Sequence, residues 1–231
     1  MDLAITTDFS PAEPQTPSGE IAFATGQSSV GTVMVARSAR GVCAILIGAK
    51  PGELVADLAA RFPENSLVRD RRKLDGDLQK ILRFIEAPAR GLDLDLDVYG
   101  TAFQRRVWDA LCGIPSGRTV TYAALARRIG EPGAVRAVAN ACAANAIALA
   151  IPCHRVLRSD GTISGYRWGV ERKRALLARE ARYDGFVEDR SGGAGRAIGR
   201  GACRPIRSGG RCGRSEWLRL RRADISLLLS Y

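Results

Sequence analysis

A chain of 231 residues, 46% of them hydrophobic, is long enough for one large or two small domains and apolar enough to bury a core, which excludes general disorder. No uninterrupted apolar run approaches the roughly 20 residues of a membrane helix, and the opening MDLAITTDFSPAEPQTPSGE lacks the basic and apolar regions of a signal peptide, so a cytoplasmic protein with no membrane partner is expected. The net charge of +11 is uneven: residues 1–189 carry 25 basic and 22 acidic groups, whereas residues 190–231 carry ten arginines against two acids, so the tail supplies most of the field that draws phosphates.

In chain order, residues 1–20 read as a flexible lead. Residues 21–48 then alternate β-prone runs with Gly and Ser, which predicts antiparallel strands at about 21–25, 31–37 and 41–47. PGELVADLAARF begins with Pro and repeats its apolar residues at helical spacing. LDGDLQKILRFIEAP does the same and stops before Pro88. The strict alternation of LDLDLDVY, residues 92–99, predicts a half-exposed strand. Residues 21–96 therefore form a small α+β module whose own side chains signal no chemistry.

From residue 101 the spacing becomes helical. TAFQRRVWDALCGI places Phe103, Val107, Trp108 and Leu111 on one stripe behind a Thr101 cap. Thr121 caps a short helix through Ile129, Gly130 to Gly133 form a turn, and a second helix runs from about Ala134 to Ala144. That outline suits a helix-turn-helix, and equally a plain helical hairpin. The second helix is nearly all Ala and Val, so it lacks the long polar side chains that read base edges. It suits either a buried core position or close approach to a narrow groove. Further on, VLRSDGTISGYRWG carries a hairpin signal at Asp160-Gly161, and GVERKRALLARE predicts a helix of about three turns ending near Glu180. The segment from residue 183 has no periodicity and reads as a disordered Arg/Gly-rich tail.

Six cysteines, at 43, 112, 142, 153, 203 and 212, make no C-x-x-C pair, and the chain has a single histidine, His154. No metal site is signalled. Most of these thiols read as small buried hydrophobes, but Cys153 stands directly before the lone imidazole. A thiol is a poor nucleophile near neutral pH unless a base or positive field lies within reach. His154 offers the base, acting directly or through a water, and Arg155 adds positive charge. Glu180 is a candidate to orient the second ring nitrogen.

IPCHRV, followed by SDGTISGYRWGVERKRALLARE and preceded by AVRAVANACAAN, resembles the active-site region of the O6-alkylguanine-DNA alkyltransferases, over about residues 21–182. The resemblance implies an α+β protein: a ribonuclease-H-like domain at 21–96, then a mostly helical, winged-helix-like DNA-binding domain at 97–182. It implies that Cys153 takes the alkyl group of O6-alkylguanine, with O4-alkylthymine a further substrate left open, in one irreversible transfer. His154 would accept the thiol proton through water, polarised by Glu180; Tyr122 would donate to the leaving guanine, and Asn145 would hinge the active-site loop and order the thiol. Arg136 would replace the flipped nucleotide, with Ala134, Val135, Ala137, Tyr122 and Arg155 contacting DNA. Tyr166, Arg167 and Pro152 would wall the base pocket. The implied partner is double-stranded DNA bound by a monomer, with no cofactor. Some relatives hold a structural zinc in the small domain, but here that domain offers only Cys43, so no metal is expected.

Three other readings use the same residues. A cysteine hydrolase needs an oxyanion hole and a histidine distant in sequence, which a single adjacent histidine opposes. A non-catalytic lesion-binding module does not need the Cys153 thiol. A sequence-specific regulator needs base-reading side chains that the Ala-rich helix lacks.

Overall fold

The computed structural model describes Pro17, residues 19–163 and residues 165–188. Three strands, β1 (Glu20–Ser28), β2 (Gly31–Arg37) and β3 (Val42–Gly48), form an antiparallel meander. Both faces of β2 and β3 are buried, which is why their sequences GTVMVAR and VCAILIG run apolar instead of alternating. Helix α1 (Pro51–Arg61) packs on β3, and α2 (Arg71–Glu86) packs on β1 through Leu74, Leu78, Ile81 and Ile85. Between them, β4 (Ser66–Arg69) joins β1 in parallel, giving the sheet order β3-β2-β1-β4. Four residues are too short to show a period, so the sequence carries no sign of β4.

The alternating 92–99 segment makes only one bridge, Leu96 to Val42. Val42 N donates to the Asp95 carbonyl and Asp97 N to the Val42 carbonyl, at 2.8 and 2.9 Å. The segment leaves the sheet because Asp97, which alternation would expose, turns inward. Its buried carboxylate accepts from the Ser38 and Tyr99 hydroxyls and pairs with Arg40 at 3.1 Å.

The second half is mostly helical. The Thr101 hydroxyl and Gln104 side chain form a reciprocal capping box at the start of α3 (Ala102–Cys112). A two-residue strand, β5 (Val120–Thr121), leads into α4 (Tyr122–Arg128), capped by the Thr121 hydroxyl. Helix α5 (Val135–Ala144) follows the Gly-containing turn, and Trp108 Nε1 donates to the Ala141 carbonyl at 2.8 Å, fixing α5 on α3. The expected hairpin does not form. β6 (Val156–Leu157) pairs in parallel with β5, and the chain only turns at 158–162, where Arg158 N donates to the Thr162 carbonyl.

Helix α6 (Val170–Glu188) runs well past the expected end at Glu180: Ala181 to Asp184 hold no proline or glycine, and the helix continues through Gly185. Residues 183–188 thus continue a helix; the rest of the arginine-rich tail, with Cys203 and Cys212, and most of the N-terminal lead lie outside the described residues. Among the described residues, no helix is long and apolar enough to cross a membrane. The halves join at the outer edge of β3. Ile45 N donates to the Ala146 carbonyl and Ala148 N to the Ile45 carbonyl, both at 3.0 Å, so the loop after α5 is pinned to the sheet.

Candidate active site

The loop from Asn145 to Cys153 begins where α5 ends. Asn145, fully buried, uses both arms of its amide: Oδ1 accepts from Ile147 N at 2.9 Å, while Nδ2 donates to the Ile151 carbonyl at 2.9 Å and faces Cys153 Sγ at 3.2 Å. One side chain therefore sets the loop's shape and holds the sulfur. Within the loop Leu149 adopts a left-handed conformation, φ +70°, which is costly for a branched side chain and is retained by the bonds around it. Pro152 is buried immediately before the thiol.

Cys153, His154 and Arg155 form one 3-10 turn, and all three are buried. Burial pushes the Cys153 thiol up to about 11, opposed by the Asn145 amide and by the positive charge of Lys173. The resting sulfur is thus protonated and needs a base to become a nucleophile. His154 Nε2 lies 2.9 Å from Glu180 Oε1. Burial would raise the Glu180 carboxyl, but the hydrogen bond from His154 and the hydrogen bonds and charge of Arg155 outweigh it and hold the group down to about 2. An ionised carboxylate only accepts, so Nε2 carries the hydrogen and Nδ1 keeps its lone pair. Nδ1 is buried and makes no hydrogen bond to a described protein atom. Burial lowers the proton affinity of His154, so the imidazole is held neutral. Protonated thiol and neutral imidazole are the correct starting forms for a general base.

Arg155 does not face outward. Its Nε and Nη2 lie 2.8–3.2 Å from the Glu180 carboxylate, and its Nη1 donates to the Ile114 carbonyl at 2.6 Å. Its expected place among DNA contacts is corrected: the whole guanidinium is used inside the protein. Arg167 is exposed and pairs with Asp57 of α1 at 2.7 Å. Tyr166, next to it, is half-buried. It packs edge-on against Trp168 with its hydroxyl buried, and the thiol and Glu180 help raise that hydroxyl's proton affinity.

Tyr122 is half-buried at the first position of α4. On α5, Arg136 and Ala137 are exposed, Ala134 and Val135 are half-buried, and Val138, Ala141 and Cys142 face the core. Asn140 shares the exposed face with Arg136, at the four-residue spacing that places side chains on one side of a helix. Lys173 looks like an ordinary surface lysine within VERKR, yet it is completely buried, with Nζ donating to the Val156 carbonyl at 2.6 Å. Among the described residues, no three His, Cys, Asp or Glu side chains gather as metal ligands.

Residues 102–182 match the family model described as 6-O-methylguanine DNA methyltransferase, DNA binding domain. The chain is 47% identical over 161 residues to the bifunctional transcriptional activator/DNA repair enzyme Ada of Escherichia coli K12, covering 70% of this chain but only 46% of that relative. The chain therefore spans less than half the length of that relative. It is 38% identical over 149 residues to the inducible methylated-DNA–protein-cysteine methyltransferase of Bacillus subtilis 168, covering 64% of this chain and 83% of the relative. Among solved structures, Mycobacterium tuberculosis OGT in complex with DNA superposes with a TM-score of 0.59 at 31% identity, over 70% of this chain and 93% of that one. On the coverage of these relatives and the thiol–imidazole–carboxylate geometry, the chain belongs to the methylated-DNA–protein-cysteine methyltransferase family.

Proposed function

We propose that this protein repairs double-stranded DNA by direct reversal, moving the alkyl group of O6-alkylguanine to its own Cys153 once and irreversibly. The observation that carries the reading is the setting of the thiol: Asn145 Nδ2 lies 3.2 Å from the sulfur, and the adjacent His154 is fixed by Glu180 at 2.9 Å.

The thiol gives its proton, through a bridging water, to Nδ1 of His154, while Glu180 steadies the imidazolium that forms. The sulfur attacks the alkyl carbon, a C–S bond forms, and the C–O6 bond breaks with its electron pair passing to the guanine. Tyr122 supplies a proton to the guanine and is reprotonated from the site, so the thiol's proton ends, in balance, on the restored base. A thioether does not reverse this step, and each molecule acts once.

The base must leave the duplex to reach a buried thiol, at a cost of a few kcal/mol. The exposed face of α5 supports that step: Arg136 holds the stack open, while Ala134, Val135 and Ala137 allow the helix close to the minor groove without reading sequence. Tyr166 and Pro152 bound the receiving pocket. The module at 21–96 is ribonuclease-H-like and the domain at 97–182 winged-helix-like, acting as a monomer without cofactor. The test is stoichiometric: duplex carrying one O6-methylguanine is incubated with a deficit of protein, and restored guanine is counted after digestion. One guanine per protein, with no further turnover, supports the reading. None, or many, contradicts it.

A further inference from the structure

We propose that Arg155 is a positioning residue for alkyl transfer: by holding Glu180 in its guanidinium, it keeps His154 neutral and thus able to accept the thiol's proton. The inference rests on the proposed reaction at Cys153 for its purpose, but on local geometry for its substance.

Glu180 Oε1 receives His154 Nε2 at 2.9 Å and Arg155 Nη2 at 2.8 Å, while Arg155 Nε sits 3.0 Å from Oε2. All three side chains are almost cut off from water, His154 completely. In such a place charges must balance locally. With Arg155 present, the carboxylate is already matched. A protonated imidazole would then leave the cluster with excess positive charge, beside the ammonium of Lys173. With Arg155 removed, one buried carboxylate remains unmatched. The nearest base is His154, and holding a proton there would restore neutrality at the expense of its acceptor role.

Among the described residues, the charges acting on the imidazole are those of Glu180 and Lys173 from α6 and of Arg155 from its own turn. Cys153 precedes it in that turn, the buried Tyr166 hydroxyl is coupled to Cys153 and Glu180, and α3 brings Cys112, whose sulfur faces the Ala150 carbonyl. Only Glu180 favours a proton on His154, and only Arg155 is bonded to Glu180 so as to offset it. Arg155 also ties the site together mechanically. Nη1 binds the Ile114 carbonyl, and Gly117 N reaches Glu180 Oε2 at 3.3 Å, so the segment that leads into β5 and Tyr122 closes on the same pair.

The lone histidine makes this directly measurable, because one imidazole gives one Cε1–H resonance in the full-length protein. In the unmodified protein that resonance is expected to stay at its neutral position between pH 8 and 6. In Arg155→Met, and in the hydrogen-bonding Arg155→Gln should the first fail to fold, the proton affinity should rise at least tenfold. The rate of alkyl transfer should fall near neutral pH and recover toward alkaline pH, as the imidazole loses its proton. In the double variant Arg155→Met, Glu180→Gln the resonance should return to its neutral position. An unchanged titration in a folded Arg155 variant, or a titration not reversed by Glu180→Gln, overturns the proposal. So does a loss of rate equal at every pH. The titration uses no DNA, so failure of this inference is separate from failure of the proposed reaction, which would appear as no transfer by the unmodified protein.

Discussion

Cys153 is protonated at rest, and each neighbour acts on a different part of its activation. Burial opposes the thiolate, the Asn145 amide and the Lys173 charge favour it, and in the proposed reaction the neutral His154 takes the proton. Asn145→Ala should cost about 1–3 kcal/mol, because it orphans the buried Ile147 N–H and leaves the Ile151 carbonyl only its bond from Cys153 N. It should also slow transfer at least tenfold, since the sulfur loses its anchor; urea unfolding and single-turnover kinetics report the two effects separately. The buried pair also dictates the pH dependence of stability. His154 has a lowered proton affinity, so below its ordinary value of 6.5 the unfolded chain takes up a proton that the folded protein refuses, and stability falls as pH falls. Glu180, held at about 2 against an ordinary 4.5, contributes stability above pH 4.5 that is lost as pH falls toward 2. Urea midpoints should therefore decline in two stages, and His154→Gln should remove the upper one. A midpoint constant from pH 7.5 to 5 would show that the folded protein protonates His154 as readily as the unfolded chain.

At the scale of elements, α5 does two jobs with two faces: Val138, Ala141 and Cys142 pack inward, while Arg136, Ala137 and Asn140 look outward. Arg136→Ala should weaken binding to duplexes of any sequence alike and slow repair in duplex DNA, yet leave reaction with the free O6-methylguanine nucleoside unchanged, since no base need be flipped. Equal slowing on both substrates would place Arg136 in the chemistry instead. Much of this architecture is legible in sequence because its signals are local. Thr101 and Thr121 cap, a Gly-containing turn separates α4 from α5, and the Cys-His pair announces itself. What is not legible depends on distant partners. Arg155 reads as surface charge until Glu180, 25 residues later, folds against it, and Lys173 reads as solvated until Val156 offers its carbonyl. Asp97 breaks the β alternation only because Ser38 and Arg40 wait for it. β6 likewise pairs with β5, a partner distant in sequence.

The molecule as a whole uses its first half to hold the chemistry of its second. The edge of β3 carries the loop that ends in Cys153, Arg172 of α6 donates to the Val30 carbonyl at 2.9 Å, and Arg167 pairs with Asp57. The exposed Arg167–Asp57 pair contributes under about 1 kcal/mol, so its loss should barely move stability. Ile45→Pro is different: it deletes the donor to the Ala146 carbonyl and should cost about 1–3 kcal/mol while slowing transfer in the protein that remains folded. An unaltered rate would mean that the loop needs no support from the sheet. The central claim, that Cys153 itself receives the alkyl group, is tested most directly by intact-protein mass after incubation with duplex DNA bearing one O6-methylguanine. The account predicts a gain of one methylene, mapped to the peptide containing Cys153 and absent from Cys153→Ala. An unchanged mass in protein that nevertheless binds the lesion tightly would contradict it, and would make this a recognition module with an idle thiol.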